Sequence, residues 1–176
     1  MSGLKRLTFV LGGARSGKSA LAERLAIGCG LPRAYIATAQ AWDDEMADRI
    51  VRHRADRGAG WLTIEEPRAL PDAIKGVPAG HVTVIDCLTL WLSNEMLAEA
   101  DLDRASAALR AALSAATGPV IVVSNEVGLG IVPENALARR FRDAQGRLNQ
   151  AIAAEADTVL FVAAGLPMAL KGTVPQ

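Results

Sequence analysis

Gly12-Gly13-Ala14-Arg15-Ser16-Gly17-Lys18-Ser19 is a glycine, four residues, then glycine, lysine and serine. That spacing lets successive backbone N–H groups turn inward on a polyphosphate while a new helix presents its positive end to the same charge. Lys18 is then long enough to reach the β- and γ-phosphates, and the Ser19 hydroxyl is placed to ligate Mg²⁺. The bland reading is a glycine-rich turn that happens to contain Lys-Ser. Context argues against it, because the apolar run Leu7 to Leu11 precedes the loop and a helical stretch follows from Lys18. The chain is therefore expected to bind a nucleoside triphosphate.

Three further groups carry chemistry. Asp86 ends the apolar run Val82-Thr83-Val84-Ile85, where a carboxylate would hold Mg²⁺ opposite Ser19. The alternative is a helix-capping aspartate, since a helix follows. Within residues 43–57, Arg49, His53 and Arg57 recur at helical spacing, and Arg52 and Arg54 flank the histidine. A solvated cationic face would look the same. Chemically, the arginines would disfavour imidazolium and leave a neutral, nucleophilic ring nitrogen. Their guanidinium groups suit a triphosphate, so attack on an α-phosphate with loss of pyrophosphate would give a nucleotidyl-histidine. The third group is the long segment Ser124-Asn125-Glu126-Val127-Gly128 through Pro133-Glu134-Asn135, followed by Arg139, Arg140, Arg142 and Arg147. It reads either as a functional loop or as a structured connection with a solvated arginine face. His81 precedes a strand and is given no role.

The elements that must position these groups alternate. Strands are predicted near 7–11, 34–37, 61–64, 82–86, 120–123 and 158–162, the third being the weakest, with a short antiparallel return at 168–170. Helices are predicted at 18–28, over 43–57, from Pro67 to Ile74, at 88–97, from the capping Asp101 to Ala115, and over 134–156. Short, β-branched strands separated by helices imply an α/β fold, a mainly parallel sheet with helices on both faces. Ligands bind such sheets at the carboxyl ends of strands. The loops at 12, 38, 86 and 124 all lie there.

Composition narrows the class. The chain has 176 residues, 51% of them hydrophobic, which suits one compact domain over 1–176. Lys+Arg and Asp+Glu are both 19, so no global field favours nucleic acid. Cys29 and Cys87 have no metal-ligand spacing and fit a reducing cytoplasm. No apolar run approaches the roughly 20 residues that span a bilayer.

The blocks together are specific. Gly12–Ser19, then Tyr35-Ile36-Ala37-Thr38-Ala39-Gln40, then Asp43-Asp44-Glu45-Met46 with Arg49-Ile50 and His53 appear in order. Asn125-Glu126-Val127-Gly128, Ile131 to Asn135, Arg139 and Gly146-Arg147-Leu148-Asn149-Gln150 complete them. Over about residues 7 to 165 this resembles the bifunctional adenosylcobinamide kinase/adenosylcobinamide-phosphate guanylyltransferases of cobalamin biosynthesis. The resemblance implies a single P-loop NTPase domain resembling RecA, assembled as a homotrimer. It implies that ATP or GTP phosphorylates adenosylcobinamide, and that GMP from GTP then passes through a guanylyl-histidine to give adenosylcobinamide-GDP. It places Gly12, Gly13, Ala14, Arg15, Ser16, Gly17, Lys18 and Ser19 on triphosphate, and Thr38, Ala39, Gln40 and Arg54 in the nucleotide site. Glu65 is assigned to guanine or ribose, Asp86 and Ser19 to Mg²⁺, and His53 and Lys18 to catalysis. Some relatives carry two adjacent histidines where this chain has Arg52 and His53, and some have glutamate where it has Asp86.

Two other readings use the same loop. Another small-molecule kinase would explain Gly12–Ser19 and Asp86 but leave His53 and the Asn125 segment without a task. A nucleotide-dependent switch would want an Asn-Lys-x-Asp guanine-reading motif, which the sequence lacks.

Overall fold

The computed structural model describes residues 4–40, 48, 51, 55 and 57–175. Seven strands form one sheet: β1 Leu7–Gly12, β2 Arg33–Ala37, β3 Trp61–Glu65, β4 Val82–Asp86, β5 Val120–Asn125, β6 Thr158–Ala163 and β7 Leu166–Lys171. Their order is β3-β2-β4-β5-β1-β6-β7. All pairings are parallel except β6 with β7. That exception follows from Ala164 and Gly165, whose φ angles of 51° and 79° make a two-residue turn of the twist that hairpins favour.

Alternation along the strands sorts the core into two layers. Leu7, Phe9, Leu11, Ile85, Val120 and Val122 pack on one face with Trp91, Leu148 and Ile152. Val10, Val82, Val84, Ile121, Val123 and Leu160 pack on the other with Leu21, Ala22 and Ala26. The second set meets helix α1, Lys18–Gly28. The first meets α2 Leu70–Gly76, α3 Leu88–Leu97, α4 Leu102–Ala115 and α5 Ala136–Glu155. Strands buried on both faces lack a polar side, which is why these read as continuous apolar runs.

Two helix starts differ from the pattern-based reading, each for a local reason. The helix expected from Pro67 begins at Leu70, with Pro71 in its first turn. Residues 67–69 instead form a turn in which Glu66 Oε1 accepts from the N–H groups of Arg68 and Ala69. The helix expected from Glu134 begins at Ala136 because Asn135 is its cap, its Oδ1 accepting from the Ala138 N–H. Asp101 caps α4 as expected, accepting from the N–H groups of Asp103 and Arg104. Most of the stretch 43–57 lies outside the described residues, but Arg57 is described and helical. The edge strand β3, the weakest by sequence, is complete and only partly buried.

Candidate nucleotide site

The parallel register sets the carboxyl ends of the strands in a row. Gly12 pairs with Asn125, Asp86 with both Val123 and Ala37, and Ala37 with Glu65. The groups picked out by sequence from β1 to β5 are thereby brought to one edge, with the phosphate loop near its middle.

That loop leaves β1 in a conformation that few sequences accept. Arg15 and Gly17 have φ of 56° and 94°, the left-handed region that costs a side chain and suits glycine. Gly12 must lack a side chain for another reason: a Cβ there would stand 2.5 Å from Ser16 Oγ and 2.6 Å from the Val162 carbonyl oxygen. Inside the turn, the Ser16 N–H donates to Gly13 O at 3.3 Å. Lys18 Nζ donates to the same carbonyl at 3.0 Å, which folds the ammonium back over the loop it closes. Lys18 is only 9% exposed. From outside, the Gly165 N–H donates to Ser16 O at 2.8 Å, so the β6–β7 turn braces the loop. Ala14 and Arg15 are exposed, and Gly13 and Ser19 are half-buried.

Asp86 lies two strands away, half-buried. It does not cap the following helix, whose first position is preceded by Cys87 with no side-chain bond. Its Oδ2 accepts from the Tyr35 hydroxyl at 2.9 Å. Burial, then the Asp86 charge, pushes the Tyr35 phenol well above the ordinary tyrosine range, with Arg57 opposing. Tyr35 therefore stays protonated and donates at every usable pH. The Arg57 guanidinium sits 3.6 Å from the centre of the Tyr35 ring, a cation–π contact. The end of the cationic segment thus reaches the carboxylate through one aromatic ring. Sequence pattern alone gave Tyr35 no role, because the contact joins residues that are 51 apart.

Thr38 is fully buried. Its hydroxyl donates to Cys87 O at 2.7 Å and accepts from the Cys87 N–H at 2.9 Å, so it clamps the turn after β4. Asn94 Nδ2 donates to Thr38 O and Pro67 O, both at 2.9 Å, tying the segments after β2 and β3 to α3. Ala39 and Gln40 continue along the edge, half-buried, and Glu65 is exposed at the end of β3. Burial, then Asp86, pushes the Cys87 thiol up to about 11, which keeps it neutral and unreactive. His53 and Arg54 lie outside the described residues.

The segment after β5 is built rather than loose. The Glu126 N–H donates to Gly12 O at 3.2 Å, joining it to the phosphate loop. Arg139 Nη1 donates to the carbonyls of Pro133 and Glu134, so this arginine staples the loop instead of lying in a solvated face. Asn149, far along α5, donates through Nδ2 to Asn125 O at 3.2 Å. Among the described residues no group of three His, Cys, Asp or Glu could hold a metal ion, and no helix is long and apolar enough to cross a membrane.

Comparison with known proteins agrees with this architecture. The flagellar accessory protein FlaH of Methanocaldococcus jannaschii superposes with a TM-score of 0.55 at 16% identity, covering 96% of this chain and 80% of that one. At that identity the likeness concerns the fold alone, a mainly parallel α/β sheet covered by helices on both faces. The bifunctional adenosylcobalamin biosynthesis protein CobP of Pseudomonas aeruginosa is 53% identical over 166 residues, 93% of this chain and 96% of that protein. CobU of Salmonella typhimurium, which carries the same bifunctional description, is 41% identical over 181 residues, 94% and 99% of the two chains. The family model described as cobinamide kinase/cobinamide phosphate guanyltransferase matches residues 8–170, from the first strand to the last. With the phosphate loop, Asp86 and the Asn125 segment all inside that span, the chain belongs to the cobinamide kinase/cobinamide phosphate guanyltransferase family.

Proposed function

We infer that this protein is the bifunctional transferase of cobalamin biosynthesis, a single domain over 1–176 acting at one nucleotide site. It phosphorylates adenosylcobinamide with ATP or GTP, then transfers GMP from GTP to the new phosphate. The observation that carries the reading is the family match over residues 8–170, which includes the kinase loop and the segments a kinase alone would not need. Corrinoid and triphosphate are its substrates, and a cytoplasmic homotrimer is its proposed state.

In the kinase step, the backbone N–H groups of Gly12–Ser19 hold the polyphosphate and Lys18 neutralises charge that moves to the β–γ bridge oxygen. The Ser19 hydroxyl and the Asp86 carboxylate are hard oxygen donors. Among the described residues no cluster of carboxylates joins them, and two such donors suit an ion that keeps water and phosphate ligands, as Mg²⁺ does. When bound, Mg²⁺ would supply charge neutralisation on the phosphates. In the second step His53 is the proposed nucleophile at the α-phosphorus, with Arg54 and its neighbours on the departing pyrophosphate. Thr38, Ala39, Gln40 and Glu65 complete the proposed nucleotide site, Thr38 as the clamp beneath it.

Incubation with α-labelled GTP and Mg²⁺, denaturation and intact-mass analysis tests the reading. The expected result is a GMP adduct, acid-labile and base-stable, absent from His53→Ala. That variant should still phosphorylate cobinamide. A wild-type protein that binds GTP but forms no adduct would remove the histidine mechanism and leave a kinase.

Tyr35→Phe addresses the carboxylate. Loss of one hydrogen bond to a charged group costs about 1.5–3 kcal/mol at most, and a second-sphere partner of this kind typically changes metal affinity about 10-fold or more. The Mg²⁺ concentration for half-maximal kinase activity should rise by about that factor, with the KM for cobinamide unchanged. An unaltered Mg²⁺ titration would show that Asp86 needs no orientation from Tyr35.

A further inference from the structure

Ser124, Gln145 and Asn149 form a buried hydrogen-bonded triangle. Ser124 Oγ donates to Asn149 Oδ1 at 2.8 Å, and Gln145 Nε2 donates to Ser124 Oγ at 3.0 Å and to Asn149 Oδ1 at 2.9 Å. The triangle and Thr89 together hold one residue from both sides of its backbone. Asn125 O accepts from Asn149 Nδ2, and the Asn125 N–H donates to Thr89 Oγ1 at 2.8 Å. Four polar side chains from three elements thus fix a single position at the end of β5.

The direction of the Asn125 side chain follows from alternation. Ile121 and Val123 lie in the layer facing α1, and Val120 and Val122 lie in the opposite one. Ser124 turns toward α5, so Asn125 falls on the α1 face. On β4, Val82 and Val84 face α1, so Asp86 falls on that face too. Asn125 is paired in register with Gly12, between the phosphate loop and the strand of Asp86. There its Oδ1 is buried and has no hydrogen-bond partner among the described residues. Ser16 Oγ, in the phosphate loop itself, is in the same condition. A buried amide oxygen without a donor is costly, and the frame around Asn125 fixes the backbone that carries it. A donor that arrives with the substrates would satisfy that oxygen.

We propose that Asn125 Oδ1 accepts a hydrogen bond from the attacking hydroxyl of the kinase substrate and aims its oxygen at the γ-phosphorus. The proposal rests on the kinase reading above. In that step the hydroxyl oxygen forms a bond to the γ-phosphorus while the bond from phosphorus to the β–γ bridge oxygen breaks, its electron pair leaving with the nucleoside diphosphate. The hydroxyl proton passes to water late in the transfer. A neutral amide cannot take that proton, so Asn125 orients the nucleophile and is not a base. The other half-reaction attacks the α-phosphorus with a different nucleophile and does not use this contact.

Asn125→Ala and Asn125→Asp test the assignment, with wild type alongside. For Asn125→Ala, kinase kcat should fall by about 100-fold, the loss expected for a misaligned nucleophile. The KM for triphosphate, the rate of GMP-adduct formation from GTP and the melting temperature should stay near wild type. Asn125→Asp keeps an acceptor in place and should recover at least part of kcat. Three results would overturn the proposal: an unchanged kcat, an equal fall in both half-reactions, or a loss that tracks a lowered melting temperature. A wild type that makes no cobinamide phosphate would instead defeat the kinase reading, so the two failures are distinguishable.

Discussion

Lys18→Met is expected to lower both half-reactions by about 100- to 1000-fold, the effect of removing a preorganised stabilising group from a site where charge develops. Methionine keeps the length and apolar stem of lysine, so the change isolates the ammonium. That group is held over the loop by its bond to Gly13 O. Both proposed steps release a phosphate leaving group, a nucleoside diphosphate in one and pyrophosphate in the other, and on the proposed mechanism both would draw on the same charge. Steady-state kinase assays and the GMP-adduct assay read the two losses separately. The melting temperature should change little, since a buried cation is exchanged for an apolar chain of similar size. Retention of either rate within tenfold of wild type would show that Lys18 is not shared.

Gly118→Ala should be among the most damaging single-methyl changes in the chain, and it touches no substrate. A Cβ at Gly118 would stand 2.0 Å from the His81 carbonyl oxygen and 3.1 Å from its carbon. Both atoms are backbone, so no rotamer change relieves the contact. The two segments lead into β4 and β5, and the Thr83 N–H is bonded to Pro119 O beside them at 2.9 Å. Separating them disturbs the centre of the sheet. Overpacking a well-packed interior costs about 1–3 kcal/mol and sometimes more. We expect the upper end, a fall of roughly 10 °C for a chain of this size. Gly146→Ala is the control: it lies in α5 with nothing within 4 Å of its Cβ position, and should be neutral or stabilising by roughly 0.5–1 kcal/mol. Denaturant titration of both variants compares them directly, and a wild-type midpoint for Gly118→Ala would refute the prediction.

Local chemistry was legible in the residue order. The phosphate loop announced itself by glycine spacing between a strand and a helix, and Asp86 by its place at the end of an apolar run. Asp101 and its helix were readable because a cap acts within one turn. Contacts between distant segments were not readable. Tyr35 looks like one more apolar strand residue until β2 is laid beside β4, and Gly165 looks like an ordinary hairpin glycine until its N–H meets Ser16 O. Thr38 was expected among the nucleotide contacts, yet its hydroxyl is occupied by Cys87, a pairing that pattern cannot reveal. Arg139 counted as part of a basic helix face, but its reach back to Pro133 and Glu134 makes it part of a loop. In each case the side chain's role is set by which strands are neighbours.

That neighbour order also sets a timetable. β1 is made early, but its partners are β5 and β6, and the Leu7 N–H is bonded to the Asp157 carboxylate 150 residues away. During synthesis the phosphate loop must wait, unsupported, while nearly all of the chain emerges. Closing such distant pairs is slow, because loop entropy is lost before any contact is gained. The nucleotide pocket is therefore expected to be among the last parts of the molecule to acquire its shape, and triphosphate binding to report completed folding rather than guide its early steps.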